Sequence, residues 1–431
     1  MKSEGGTGRR SSQCELKTAA SIVVIKVGTS SLLKPETNSL YLSLIAKLCE
    51  TVAKLCNKGY KVVIVTSGAV GVGALQLGLK KKPTDLAKKQ ALAAVGQQHL
   101  MRHYNDFFTA LGHRCAQVLL TLDNLANRSQ YLNARNTFEA LFEYGVIPIV
   151  NENDTVAVQE LRVGDNDTLS AQVATLVGAD YLFLLTDVDG LYTSNPNTDP
   201  TAERIPIVED ITKLTAKIGN AGSEFGTGGM QTKLTAARIA TSAGCKLVIM
   251  LSEGLERIPG CLDGDSVGTL FMPVPNHMKG RKRWILTMPI RGELVLDAGA
   301  VKAVKAHRSL FPAGVKEVRG VFNAMEAIRI CNTEMVQVAV GIINYNSTEV
   351  QTMLGRGSAE YQGELGYNGP DEVIHRDNLC VMIDTTNDPT SPSSQKDTNK
   401  LKLTPTVSHA TLEELAKQCQ TDTTLDGSND S

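Results

Sequence analysis

The sequence predicts an α/β fold: a mostly parallel sheet between helix layers, followed by a smaller β-rich domain. Three observations carry this. Short runs of Val, Ile and Leu alternate with helical segments from about residue 20 to residue 273. The runs are apolar throughout, as in strands covered on both faces. Near residue 274 the composition changes: PVPNHMKGRKRWILTMPIRG brings three prolines and five Lys or Arg.

SIVVIKV (21–27) reads as the first buried strand. LYLSLIAKLCETVAKLCN (40–57) has apolar residues at helical spacing, and Gly59 closes that helix. KVVIVT (61–66) is the second strand. A long helix follows over 85–111, containing QALAAVGQQHLM. RCAQVLLT (114–121) is a strand, 129–143 a helix closed by Gly145, and VIPIVN (146–151) a strand. DTLSAQVATLVG (167–178) is a helix with Asp167 near its N-cap and Gly178 at its end. DYLFLLTD (180–187) is a strand, MQTKLTAARIATSAG (230–244) a helix stopped by Gly244, and KLVIML (246–251) the last strand of the set.

The expected organisation is a disordered leader (1–19), an α/β domain (20–275), a basic linker (276–290), a small domain of short strands with little helix (291–382) and a disordered tail (383–431). The Ser/Thr/Asp/Pro-rich tail has few large apolar residues to bury. Within it ATLEELAKQC (410–419) reads as a docking helix.

The 431 residues exceed one ordinary domain. A net charge of -1 gives no global basic excess for nucleic acid and no acidic shield. The nine cysteines form no C-x-x-C and none sits near His at zinc-ligand spacing, so they read as reduced thiols of a cytoplasmic protein. No apolar run reaches the roughly 18 residues of a membrane span. The N-terminus lacks the apolar core of a secretory signal.

Ligands of a doubly wound sheet gather at the carboxyl ends of its strands. Five segments there share one vocabulary: IKVGTSS with Lys26 and Gly28, TSGAVGVG with Ser67 and Gly68, NENDTVA with Asn151 and Asp154, VGDND with Asp165, Asn166 and Asp167, and TDVDGLYT with Thr186 and Asp187. TSGAVGVG misses the dinucleotide-binding spacing and taken alone is equally a tight strand-to-helix turn; GDND alone is most often a solvated turn that caps a helix. FGTGGMQTK (225–233) is not a Walker A loop, because Thr232 and not Gly precedes Lys233. It sets Thr227, Gly228 and Gly229 before a helix and Lys233 in its first turn. Lysine there opposes the helix dipole, which a bound phosphate explains. Lys26 interrupts an apolar strand at its exit. Two lysines beside glycine loops fit a clamp on transferring phosphoryl oxygens.

Asp154, Asp165 and Asp167 suit an ammonium group; Asn151, Asn166 and Ser67 suit a carboxylate. Together they fit an amino-acid substrate. A carboxylate nucleophile is ionised at neutral pH, with a reference pKa of about 4.3, and needs no general base. The seven scattered histidines agree; His99 and His103 lie one helical turn apart without an acid or Cys to complete a metal site.

IKVGTSSL, VTSGAVGVG, QALAAVGQQ, LNARNT, PIVNENDTVA, VGDNDTLSA, LLTDVDGLYT and GTGGMQTK, in this order, closely resemble glutamate 5-kinases of the amino acid kinase family. SVGTLF, RKRWI and RICN extend the likeness into a C-terminal PUA domain, so that it covers about residues 20–382. The resemblance implies the amino acid kinase fold and ATP-dependent phosphorylation of the L-glutamate γ-carboxylate, the first step of proline synthesis. It implies catalytic roles for Lys26, Asp167 and Lys233. Glutamate contacts would be Ser67, Asn151, Asp154, Asp165 and Asn166. ATP contacts would be Lys26, Thr186, Asp187 and the stretch Thr227, Gly228, Gly229, Met230, Gln231, Thr232 and Lys233. Mg2+ would be held mainly by phosphates and water, with no protein ligand named. Inhibition by proline, a homodimer or homotetramer and a next-step reductase as partner are further implications. Arg162 departs from the pattern, which often has Lys there; Arg keeps the charge as a planar fork. A fused reductase domain is not expected. The second reading is an RNA-binding protein acting through its PUA domain and RKRWI.

Overall fold

The structure, a computed structural model, describes residues 20–34, 39–79, 81–156, 166–194, 196, 199–211, 214, 228–274, 280–356, 367 and 369–381. The leader, the tail with its 410–419 segment, Arg162, Asp165 and Thr227 lie outside the described residues.

The strand β1 (Ile22–Val27) is central, and β2 (Lys61–Val65) pairs with it in parallel. β3 (Arg114–Leu120) forms the edge, and β4 (Val146–Glu152) inserts between β2 and β3. β5 (Tyr181–Thr186) then crosses to the other side of β1. Beyond it lie β6 (Ile207–Val208), β7 (Lys246–Leu251) and β8 (Thr269–Phe271). The eight strands run in the order β6-β8-β7-β5-β1-β2-β4-β3. Pairing is parallel throughout except between β7 and β8. KLVIML is therefore not the last strand. β6 and β8 continue the sheet, but with two and three residues they are too short to leave a pattern in the sequence.

The strand order switches sides at β1: β2, β3 and β4 lie on one side, and β5 and the later strands on the other. That reversal opens a crevice beyond the carboxyl ends of β1, β2 and β5, where a ligand fits.

Each strand divides its residues between two cores, since side chains alternate across a sheet. Val23, Ile25, Ile64, Phe183 and Val248 meet α1 (Leu42–Asn57) and, after α2 (Ala69–Gln76), α3 (Leu86–Ala110). Val24, Val63, Val65, Leu182, Leu184 and Leu247 meet α4 (Arg128–Glu143), α5 (Asn166–Val177) and α6 (Gly228–Ser242). Lys26 is in phase with Val24, so it faces the α5 and α6 layer. The helix ends follow the glycines: Gly59, Gly145, Gly178 and Gly244 all have positive φ.

The basic segment contributes a short helix, α7 (Arg281–Ile285), whose Trp284 and Ile285 are buried. Trp284 Nε1 donates to Leu125 O at 3.0 Å, and the Arg128 guanidinium stacks 5.1 Å from the indole centroid. Gln172 Nε2 of α5 donates to Thr287 O at 2.7 Å.

The C-terminal sheet comprises β9 (Ile290–Leu296), β10 (Val315–Arg319), β11 (Ala327–Cys331), β12 (Gln337–Ile342) and β13 (Leu379–Val381), ordered β10-β9-β11-β12-β13. β9 and β11 are parallel and the other pairs antiparallel. Two helices, α8 (Ala298–Lys305) and α9 (Ser347–Met353), belong to this part. Each starts at an Asp or Asn cap, Asp297 and Asn346.

Candidate active site

Lys26, at the end of β1, places Nζ 2.6 Å from Asp167 Oδ1. Lys233 of α6 places Nζ 3.3 Å from the other oxygen, Oδ2, which also accepts from Thr232 Oγ1 at 2.9 Å. All three charged groups are largely shielded, with side-chain exposures of 10% for Lys26, 12% for Lys233 and 6% for Asp167. Two ammonium groups and one carboxylate leave a net charge of +1 (2 − 1) on the cluster. Burial by itself would raise the Asp167 carboxyl. The neighbouring charges of Lys26 and Lys233, with hydrogen bonds from Lys26 and Thr232, outweigh it and hold the group below the usual carboxylate range.

Asp167 is the second residue of α5, in its first turn, where a negative charge suits the helix dipole. Lys233 lies in the second turn of α6 and not the first, because α6 begins at Gly228. Its long side chain runs back toward the helix start, as helical side chains do, and donates to Gly229 O at 3.1 Å. Met230 packs against the core, whereas Gln231 is exposed. A Cβ on Gly28 would stand 3.3 Å from Lys26 Nζ; glycine keeps that approach open.

A second cluster adjoins the first through Asn166. Its Nδ2 donates to Thr66 O at 2.7 Å, Ser67 Oγ at 2.7 Å and Asn151 Oδ1 at 3.1 Å. Asn151 Oδ1 also accepts from Glu152 N, and Asn151 Nδ2 donates to Gln97 Oε1 at 2.7 Å. Thus both amide NH2 groups expected to hold a carboxylate are turned onto protein acceptors. The cause is Thr66 O, a carbonyl past the end of β2 that needs a donor. Ser67 Oγ, accepting from Asn166, keeps its own proton to donate. Asp154 lines a cavity of about 370 Å³ together with Gln97, Gln117, Met101 and Glu152.

Thr186 ends β5, and its Oγ1 donates to Asp187 Oδ1 at 2.9 Å. Lys26 is paired in register with Leu184, which sets Thr186 just past it at the carboxyl end of the sheet. The structure thus joins Lys26, Asp167, Thr232 and Lys233 in one cluster and Ser67, Asn151 and Asn166 in another.

Gln97 was not singled out from the sequence, although QALAAVGQQ contains it. A buried amide (8% exposed) among alanines on a helix was the available signal. Gly96 and Gly73 bring it into reach: a Cβ on Gly96 would fall 1.9 Å from Ala69 O, and one on Gly73 1.9 Å from Leu92 O. The glycines of TSGAVGVG therefore serve helix packing as much as the turn.

The amino acid kinase family model matches residues 21–251, and the PUA domain model residues 292–365. A glutamate 5-kinase of Synechococcus elongatus is 51% identical over 362 residues, 83% of this chain and 99% of the relative. One of Synechocystis sp. is 52% identical over 364 residues, 84% of this chain and 97% of the relative. The chain belongs to the amino acid kinase family, among the glutamate 5-kinases. A solved carbamate kinase from Giardia lamblia with AMP-PNP is 19% identical, with a TM-score of 0.45 over 59% of this chain and 99% of its own. The family match ends at Leu251, the last residue of β7. The PUA match starts inside β9.

Proposed function

We propose that the chain transfers the γ-phosphoryl group of ATP to the γ-carboxylate of L-glutamate, giving glutamyl 5-phosphate. The observation that carries this is the pair of lysines, Lys26 buried and Lys233 half-buried, held on the two oxygens of Asp167. A carboxylate oxygen attacks the γ-phosphorus, an O–P bond forms, and the bond to the bridging oxygen breaks as ADP leaves. The nucleophile is already ionised, so the site's work is positioning and charge neutralisation. Lys26 and Lys233 supply the positive charge for the equatorial oxygens, while Asp167 keeps the two like charges together. Thr186, Asp187 and the residues 227–233 form the ATP side.

The amide arrangement supports a specific pose. Ser67 Oγ–H donates to the substrate's α-carboxylate, while Asp154, Asp165 and the carbonyl of Asn166 receive its ammonium. Among the described residues no group of three or more His, Cys, Asp or Glu is arranged to hold a metal, and Asp167 is committed to lysines. Mg2+ therefore fits here as the companion of the ATP phosphates. Proline inhibition, a homodimer or homotetramer, a partner reductase and a cytoplasmic location belong to the same proposal and rest on family resemblance. No helix among the described residues is long and apolar enough to cross a membrane.

A coupled ADP-release assay with glutamate, aspartate and N-acetylglutamate, with and without proline, tests the proposal. Turnover with glutamate alone is expected; its absence with Mg-ATP present sinks the reading.

A further inference from the structure

The amide cluster has a direction, and backbone groups at both ends impose it. Glu152 N–H can only donate, so Asn151 must present Oδ1 to it. Thr66 O can only accept, so Asn166 must present Nδ2. Asn151 Oδ1 then receives Asn166 Nδ2, and Asn151 Nδ2 is left pointing toward α3. Asn151 is 1% exposed, so that NH2 needs a protein acceptor. Gln97 Oε1 provides it, and Gln97 Nε2 passes the sense on to Gln117 Oε1 at 3.2 Å.

The consequence falls on Asn166. Its NH2 is consumed by three acceptors, and no described residue donates to its Oδ1. Turning Asn151 over would set its NH2 against the NH2 of Asn166, donor facing donor. Leaving it in place without Gln97 would strand a buried donor. The first outcome takes the Asn151 acceptor away from Asn166; the second leaves Asn151 with an unmet buried donor, which favours its turning over and so loosens Asn166.

We propose that Gln97, on α3, is a positioning residue for the amino-acid substrate: it holds Asn151 in the sense that keeps Asn166 Oδ1 turned to the substrate's ammonium group. Gln97 touches neither substrate nor nucleotide in this scheme; it acts through Asn151. The inference rests on the glutamate-kinase reading above and predicts which parameter Gln97 controls.

The test uses the full chain, with steady-state ADP release measured against L-glutamate and against Mg-ATP. Gln97→Leu removes the acceptor. Gln97→Asn keeps the chemistry but is one methylene too short to reach Asn151. Both should raise KM for glutamate by about tenfold, with kcat and KM for ATP within about twofold of wild type. Gln97→Glu retains an acceptor for Asn151, and Gln117 can turn its NH2 inward; KM for glutamate should stay within about threefold. Thermal melts accompany each variant, and the Asn and Glu variants decide the matter if the Leu variant does not fold. The proposal is overturned if the Leu and Asn variants keep the wild-type KM and lose only thermal stability. It is also overturned if the Glu variant falls with the others, or if the KM for ATP rises in parallel. Absence of glutamate turnover in the wild type overturns the kinase reading itself, and this inference with it.

Discussion

Lys26 reaches Asp167 Oδ1 at 2.6 Å across the gap between the first strand of the sheet and the helix that carries the acid. With Lys233 on Oδ2, one carboxylate orders two cations from distant parts of the chain. Substituting Lys233→Ala or Lys26→Ala should lower kcat at least about 100-fold, the usual loss on removing one charge-stabilising donor. Circular dichroism should show the fold retained, and near-normal turnover of either variant would remove that lysine from the reaction.

Asp167→Asn should be worse for stability than either lysine change. It leaves two ammonium groups facing a neutral amide in a shielded site, where like charges repel more strongly than in water. The melting temperature should fall along with activity, and a variant as stable as wild type would contradict the buried-ion account.

The same acid sets an expected pH behaviour. Its pKa in the folded protein lies below the ordinary carboxylate value of about 3.9. The unfolded chain therefore takes up the proton first as pH falls. The stability that Asp167 contributes is present above the unfolded value, declines as pH falls below about 4, and is gone once pH has passed the lower folded value. In denaturant titrations between pH 7 and pH 3 the difference between wild type and Asp167→Asn should narrow below about pH 4; a constant difference across the range argues against the coupling.

The α2–α3 contact should tolerate no added methyl group. Gly96→Ala and Gly73→Ala would each put Cβ 1.9 Å from a backbone oxygen, so helices must separate. A loss of about 3 kcal/mol is expected in urea unfolding. Gly254→Ala, whose Cβ would meet only the Arg257 side chain at 3.9 Å, is the neutral control.

Thiol reactivity gives an independent check on packing. Burial pushes Cys56 and Cys331 up to about 11 and Cys380 up to about 12. Thiolate is scarce below a raised pKa, so iodoacetamide at pH 8 should leave these three unmodified in the folded protein and alkylate them after denaturation. Mass spectrometry of the peptides reads the outcome directly.

Much of the fold was legible because its signals are local. SIVVIKV, KVVIVT and KLVIML are apolar throughout, and Gly59, Gly145, Gly178 and Gly244 stop helices by taking positive φ. Lys26 was legible as the wrong residue type at the end of a buried strand, and Asp167 as an acid at a helix start. β6 and β8 were not legible, since strands this short take their conformation from their neighbours. Nor was Gln97, an amide whose meaning depends on what lies opposite.

By itself the sequence determined the succession of strands and helices and the β-rich second sheet, and it supplied the residues of the proposed phosphoryl-transfer site. These follow from burial periodicity and turn chemistry, which act over a few residues. Only the tertiary structure decided that Lys26 and Lys233 share one carboxylate, that α6 begins early enough to set Lys233 in its second turn, and that the amides of Asn151 and Asn166 donate inward. The last of these depends on the backbone groups left to be paired at the strand ends, Thr66 O and Glu152 N. Pairing is settled by the crossing of β5 past β1 and by the glycine-tight approach of α3, neither of which has a local signature.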